Sequence, residues 1–198
     1  LERVRKMNVT AIRYPGGNFV SAYNWEDGVG PVEERPRKLE LAWRAIETNE
    51  FGTNEFMKWT QKAKVDPIFT VNLGTRGVED AVHYLEYCNF AGKTKYSDMR
   101  RNHGIQKPYG IKLWCLGNEM DGEWQIGHKS AEDYGKLAAE TGKAMKLVDP
   151  DIELIVCGSS LSSMDSYPKW DVSVLEKTYD VADYLALHQY YAGQEKGT

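Results

Sequence analysis

The residues best suited to chemistry stand at the ends of apolar runs. Ile111-Lys112-Leu113-Trp114-Cys115-Leu116 stops at Gly117 and is followed at once by Asn118 and Glu119. Glycine lets the backbone turn there, so an amide and a carboxyl group project from the end of the run. Such a carboxyl group could act as a general acid. Splitting a glycosidic bond needs a proton for the leaving oxygen. A carboxyl group supplies one at neutral pH when burial or a neighbouring carboxylate raises its pKa. The adjacent asparagine could hydrogen-bond a sugar hydroxyl beside the reacting carbon. Asp121 and Glu123 read as loop residues whose charge would help hold that pKa up. On these residues alone the motif is weak, and a solvated glutamate at a strand rim explains it as well.

Polar residues gather at other run ends in the same way: Arg13 and Asn18, Asn72, Ser159 and Ser160, His188 and Tyr190. The runs that position them read as strands. They cover Asn8 to Tyr14, Pro67 to Leu73, Ile111 to Leu116, Ile152 to Cys157 and Tyr184 to His188, and most stop at glycine, proline or serine. Helical spacing lies between them. Val78, Ala81, Val82, Leu85 and Cys88 recur on one helix face, as do Tyr134, Leu137, Ala138, Thr141, Met145 and Val148. The second of these helices opens at Ser130-Ala131-Glu132-Asp133, a capping pattern, and must stop before Asp149-Pro150. Further helices are expected over about Asn54 to Ala63 and Val172 to Tyr179.

Strands and helices therefore alternate, which fits an α/β fold, either a doubly wound sheet or part of a (β/α)8 barrel. No Gly-x-Gly-x-x-Gly follows the first strand, so a dinucleotide-binding sheet has no support. Barrels gather their chemistry at the C-terminal strand ends, where these polar residues lie. The expectation is a partial TIM (β/α)8 barrel. A whole barrel takes eight strands and about 250 residues, against five strands in these 198 residues, so the chain reads as an internal fragment, residues 1–198 forming an incomplete catalytic domain. Residues 15 to about 50 form a long insertion carrying Phe19, Tyr23, Trp25, Glu26, Asp27 and Trp43, a natural platform for a sugar.

Bulk properties remove other classes. A net charge of −4 with no dense Lys/Arg tract disfavours a nucleic-acid partner. The densest basic stretch, Arg100-Arg101-Asn102-His103, reads as a solvated loop. No apolar run approaches the roughly 20 residues needed to span a bilayer, so no membrane partner is expected, and a cytoplasmic location is. The histidines show no metal-ligand spacing. Cys88, Cys115 and Cys157 are far apart in sequence and read as buried reduced thiols.

Four motifs taken in order carry a family resemblance. These are Arg13-Tyr14-Pro15-Gly16-Gly17-Asn18-Phe19, Trp25-Glu26-Asp27-Gly28-Val29-Gly30-Pro31, Trp114-Cys115-Leu116-Gly117-Asn118-Glu119-Met120-Asp121-Gly122 and His188-Gln189-Tyr190-Tyr191. They resemble the α-L-arabinofuranosidases of glycoside hydrolase family 51 along essentially the whole chain. The resemblance implies a retaining hydrolase that removes terminal arabinofuranosyl residues from arabinan- or arabinoxylan-type oligosaccharides without a metal or organic cofactor. It places the general acid/base on Glu119 and a contact with the sugar 2-hydroxyl on Asn118. It also places furanose binding on Asn18, contact with nucleophile and sugar on Tyr190, and an aglycone-side aromatic on Trp43. It implies that the chain covers about the second to sixth strands, with the first strand, the last strands and a C-terminal β-sandwich absent, and that the intact protein is a homo-oligomer.

Each assignment has a plainer counterpart. Asn18 could be a turn residue, and Trp43 or Tyr190 a packing residue. His188 could be a core histidine. Arg13 could hold a buried ion pair beneath the site. Retaining chemistry needs a second carboxylate about 5–5.5 Å from the first. In this family it ends the seventh strand, so no nucleophile is assigned here. A carbohydrate-binding remnant without turnover, or another retaining barrel glycosidase of xylosidase or glucanase type, are the rival readings.

Overall fold

A computed structural model describes residues 1–191. Five parallel strands make the main sheet: β1 (Ala11–Tyr14), β4 (Asp66–Val71), β5 (Leu113–Leu116), β6 (Glu153–Cys157) and β7 (Tyr184–Ala186). The helices are α1 (Glu2–Lys6), α2 (Thr53–Ala63), α3 (Val78–Asn89), α4 (Lys95–Asn102), α5 (Ala131–Val148) and α6 (Lys169–Thr178). The strands stand in the order β1-β4-β5-β6-β7, each beside the strand that precedes it within this sheet. A doubly wound sheet would reverse its order at a switch point. An unreversed parallel order is that of a barrel wall.

The register explains the packing. Tyr14 stands beside Phe69, Phe69 beside Trp114 and Trp114 beside Leu154. This row faces the helices, where Tyr84 of α3 meets Trp114 edge-on at 5.6 Å. Tyr134 and Met145 of α5 and Val174 of α6 are completely buried in the same core. Alternation turns Arg13, Thr70, Cys115 and Cys157 to the other face. There Leu113, Ile155 and Tyr184 line a hollow of about 910 Å³ with Asp66 and Glu153, at the N-terminal strand ends.

Most expected elements are present, with shorter strands. Ser130 caps α5 by accepting from the Asp133 N–H at 3.1 Å, and the helix stops at Val148 before Pro150. Helix α6 starts three residues before the expected Val172, because Trp170 belongs to the core and extends its buried face. The basic stretch differs more. Arg100 to Asn102 end helix α4, and Arg100 is completely buried, donating to the Tyr87 carbonyl at 2.7 Å. Its contacts are to the backbone carbonyls of Tyr87 and Ile105, which no charge pattern reveals. All three cysteines are free and buried.

The insertion holds short 3-10 turns and an antiparallel hairpin of β2 (Lys38–Glu40) and β3 (Ala45–Glu47), which the sequence pattern did not suggest. It is fastened to the wall by ion pairs. Arg35 grips Glu55 of α2 with two bonds of 2.9 and 3.0 Å. Arg76 grips Glu26 with bonds of 2.6 and 3.0 Å. Bidentate pairs of this kind fix geometry as well as contribute energy.

Candidate active site

Strand β5 ends in a tight turn whose shape depends on glycine. Gly117 has φ +88°, and a Cβ there would lie 3.0 Å from Met120 Cγ. Glu119 itself has φ +47°. A non-glycine residue in the left-handed region costs roughly 1–3 kcal/mol and persists where its surroundings enforce it. Here helix α5 supplies part of that enforcement. The buried Tyr134 hydroxyl donates to the Leu116 carbonyl at 2.7 Å and accepts from the Cys157 N–H at 2.7 Å. It clamps the ends of β5 and β6 together just below the turn.

Glu119 is 6% exposed. Its Oε1 lies 2.9 Å from His188 Nδ1 and accepts from the Tyr190 hydroxyl at 3.3 Å. Its Oε2 accepts from the Trp124 indole N–H at 2.8 Å. These bonds hold the carboxyl below its ordinary pKa, His188 contributing most, while burial works against them. The sequence led to the opposite expectation, a raised pKa. The physical reason is the neighbourhood: hydrogen bonds to the charged form outweigh desolvation, and Asp121 is turned away to accept from the Ser160 N–H at 2.9 Å. Glu123 is exposed.

Asn118 is 2% exposed. Its Oδ1 accepts from Arg13 Nη1 at 2.8 Å, and its Nδ2 donates to Asn18 Oδ1 at 3.4 Å and Gln125 Oε1 at 3.3 Å. Arg13 therefore holds the amide, and among the described residues it has no carboxylate partner. Gly16 needs its freedom, with φ +137°, whereas a Cβ on Gly17 would make an ordinary 3.7 Å contact with Asn118.

One hollow of about 380 Å³ is lined by Asn18, Trp43, Asn118, Glu119 and Tyr190, together with Arg13, Phe19 and His188. All five residues singled out from the sequence thus share one space. Trp43 and Tyr190 are 71% and 68% exposed at its rim, which suits stacking against a ligand better than packing in a core. The larger hollow at the opposite strand ends holds none of these groups.

Other strand-end polar residues are structural. Asn72 braces its own turn, accepting from the Gly74 and Thr75 N–H groups at 3.0 Å. Ser159 bonds Asp171 through its N–H at 2.7 Å. Of the insertion aromatics, Trp25 is buried and stacked on Tyr84 at 4.9 Å, and Tyr23 is also buried, so neither forms a platform. Two residues of the site escaped sequence reasoning, Trp124 and Gln125. Their one signal was an indole and an amide five and six residues after Glu119 in a glycine-bounded loop.

Fold and site together define a class: a parallel α/β protein of barrel order whose polar centre stands on the C-terminal strand ends. The chain belongs to the family of the Alpha-L-arabinofuranosidase 1 domain, whose sequence profile matches residues 3–196. It is 58% identical over 198 residues to the intracellular exo-α-(1→5)-L-arabinofuranosidase of Acetivibrio thermocellus, covering 100% of this chain and 39% of that protein. It is 56% identical over 192 residues to the exo-α-(1→6)-L-arabinofuranosidase of Bifidobacterium longum, covering 96% of this chain and 37% of that one. A solved family 51 α-L-arabinofuranosidase from Bifidobacterium longum superposes with a TM-score of 0.95 at 47% identity, covering 98% of this chain and 38% of that structure. The chain therefore spans about 39% of the length of the first of these relatives.

Proposed function

We propose that this chain is the acid/base half of a retaining exo-α-L-arabinofuranosidase, the part of its (β/α)8 domain running from about the second to the sixth strand. The observation that carries the reading is Glu119, a buried carboxyl group on a strained strand-end turn, facing a hollow lined by Asn18, Trp43, Asn118 and Tyr190. The substrates are oligosaccharides of arabinan or arabinoxylan type with terminal arabinofuranosyl residues. The names of both relatives support an exo-acting arabinofuranosidase, and the word intracellular in the first supports a cytoplasmic protein. Assembly of the intact protein as a homo-oligomer is part of the same proposal and rests on the family resemblance.

In the first step the glycosidic C1–O bond breaks. A proton passes from Glu119 to the departing oxygen, and C1 bonds to a carboxylate oxygen supplied from outside this chain. In the second step water attacks C1, Glu119 takes its proton, and the bond to the carboxylate breaks. Asn118, fixed by Arg13, is placed to bond the sugar 2-hydroxyl. Asn18 sits beside it for the furanose, and Trp43 offers an aromatic face on the leaving-group side. Tyr190 donates to Glu119, and its contact with the incoming carboxylate is part of this proposal and rests on the family resemblance. That second carboxylate would also correct the pKa of Glu119, since a like charge nearby favours its protonated form.

The test is Glu119→Ala in the full-length protein, assayed on an aryl arabinofuranoside with an acidic phenol and on an arabinose disaccharide. A good leaving group needs little protonation, so the disaccharide should lose about 10²–10⁴-fold more rate than the aryl arabinofuranoside. Equal losses on both would remove the acid role. Running 1→5- and 1→6-linked disaccharides side by side assigns the linkage, on which the two relatives differ.

A further inference from the structure

Trp124 differs in kind from the other partners of Glu119. Its indole N–H can only donate, and it does so to Oε2 at 2.8 Å. The partners of Oε1 are reversible. The Tyr190 hydroxyl donates or accepts, and His188 Nδ1 does either according to its tautomer. A protonated carboxyl group donates from one oxygen and accepts on the other. A proton on Oε2 would point at the indole hydrogen, whereas a proton on Oε1 finds groups able to turn into acceptors.

We propose that Trp124 is a positioning residue that makes Oε1 the proton-carrying oxygen of Glu119, through the indole N–H bond to Oε2 and the seat that Gly122 provides for the ring. This rests on Glu119 being the acid/base. The seat is visible in the geometry. A Cβ on Gly122 would stand 2.4 Å from Cε2 and 2.5 Å from Cζ2 of the indole, so the ring occupies room that only glycine leaves. Trp124 is also 48% exposed, so its ring is not filling the core. Oε1 is the oxygen on the substrate side, since its partners His188 and Tyr190 line the 380 Å³ hollow and Trp124 does not. The proton is thereby aimed at the place where the departing oxygen would lie.

The titratable and charged groups around Glu119 are His188 and Tyr190 beyond β7 and Arg13 on β1, while Asp121 is engaged by Ser160. None of them hydrogen-bonds Trp124, so a shift in titration reports the indole bond. Removing a donor from the charged form raises a carboxyl pKa.

The experiment compares kcat/KM against pH for the full-length protein and its Trp124→Phe, Gly122→Ala and Glu119→Ala variants, each with an acidic and a weakly acidic leaving group. Trp124→Phe should move the limb belonging to Glu119 up by about one pH unit, and slow the weakly acidic leaving group more than the acidic one. Gly122→Ala pushes the ring off its seat while keeping the indole, and should shift the same limb in the same direction. It decides the matter if Trp124→Phe does not fold. A limb unmoved in the variants that fold overturns the proposal, as do losses equal for both leaving groups. Glu119→Ala separates the two readings. If the limb persists without Glu119, the acid/base assignment itself falls. If it vanishes there but stays in place in Trp124→Phe, only the role of Trp124 falls.

Discussion

Tyr134→Phe tests how the fold holds the site. The substitution removes one oxygen atom and leaves the ring, so it opens no sizeable cavity. That oxygen is completely buried and serves two backbone groups, the Leu116 carbonyl and the Cys157 N–H, each at 2.7 Å. Without it both lose this partner away from water. A buried group left unsatisfied costs about 1–3 kcal/mol. Two of them, softened by the 3.5 Å contact that Cys157 Sγ keeps with the Leu116 carbonyl, should cost about 2–4 kcal/mol. For domains of 150–250 residues each kcal/mol moves the melting temperature by about 2–4 °C, so calorimetry on the full-length protein should show a fall on the order of 4–16 °C. The ends of β5 and β6 also lose their clamp beneath the Glu119 turn, so kcat/KM should fall too, even well below the melting temperature. A melting temperature within 1 °C of the parent protein, with unchanged activity, would refute the view that this hydroxyl couples the two strand ends.

Gly117→Ala forces φ +88° on a residue with a Cβ and crowds Met120; it should destabilise by about 1–3 kcal/mol and reduce activity, measured by denaturant unfolding and rate assay. Glu119 has a folded pKa below its ordinary 4.5, so its bonds stabilise the protein fully above that value and are lost as pH falls through the lower folded value. Glu119→Gln should therefore flatten that part of the acid unfolding curve, and an unchanged curve would contradict the bonding seen here. Burial pushes the Cys157 thiol up to about 12 and raises Cys88 and Cys115 as well. Peptide mapping after treatment with a thiol reagent at pH 8 should find these three unlabelled in the native protein and labelled once it is unfolded.

The sequence by itself determined the five strands of the main sheet and most of the helices between them, because apolar periodicity, the Ser130 cap and the Asp149-Pro150 stop are local signals that tertiary packing did not override; the hairpin and helix α4 were not among them. It also singled out five residues, Asn18, Trp43, Asn118, Glu119 and Tyr190, that the fold brings to one hollow. Glycine at 117 and polar groups at successive strand ends are readable where an unreversed parallel order brings every strand end to one rim. Four long motifs supplied the specificity that Asn118-Glu119 alone lacked. What only the tertiary structure decided concerns groups far apart in the chain. Residue pattern alone, without the family resemblance, could not separate Trp25 in the core from Trp43 at the rim, since both are tryptophans in one irregular insertion and differ only in what folds over them. It could not place Arg100 inside, because its partners are backbone carbonyls. Nor could it set the direction of the Glu119 pKa. That depends on whether donors or carboxylates face the group, and His188, 69 residues away, together with the neighbouring Trp124, decides for the donors. Glu119 is legible as a residue from its own strand end, but its protonation is a property of the neighbours that the fold gathers around it.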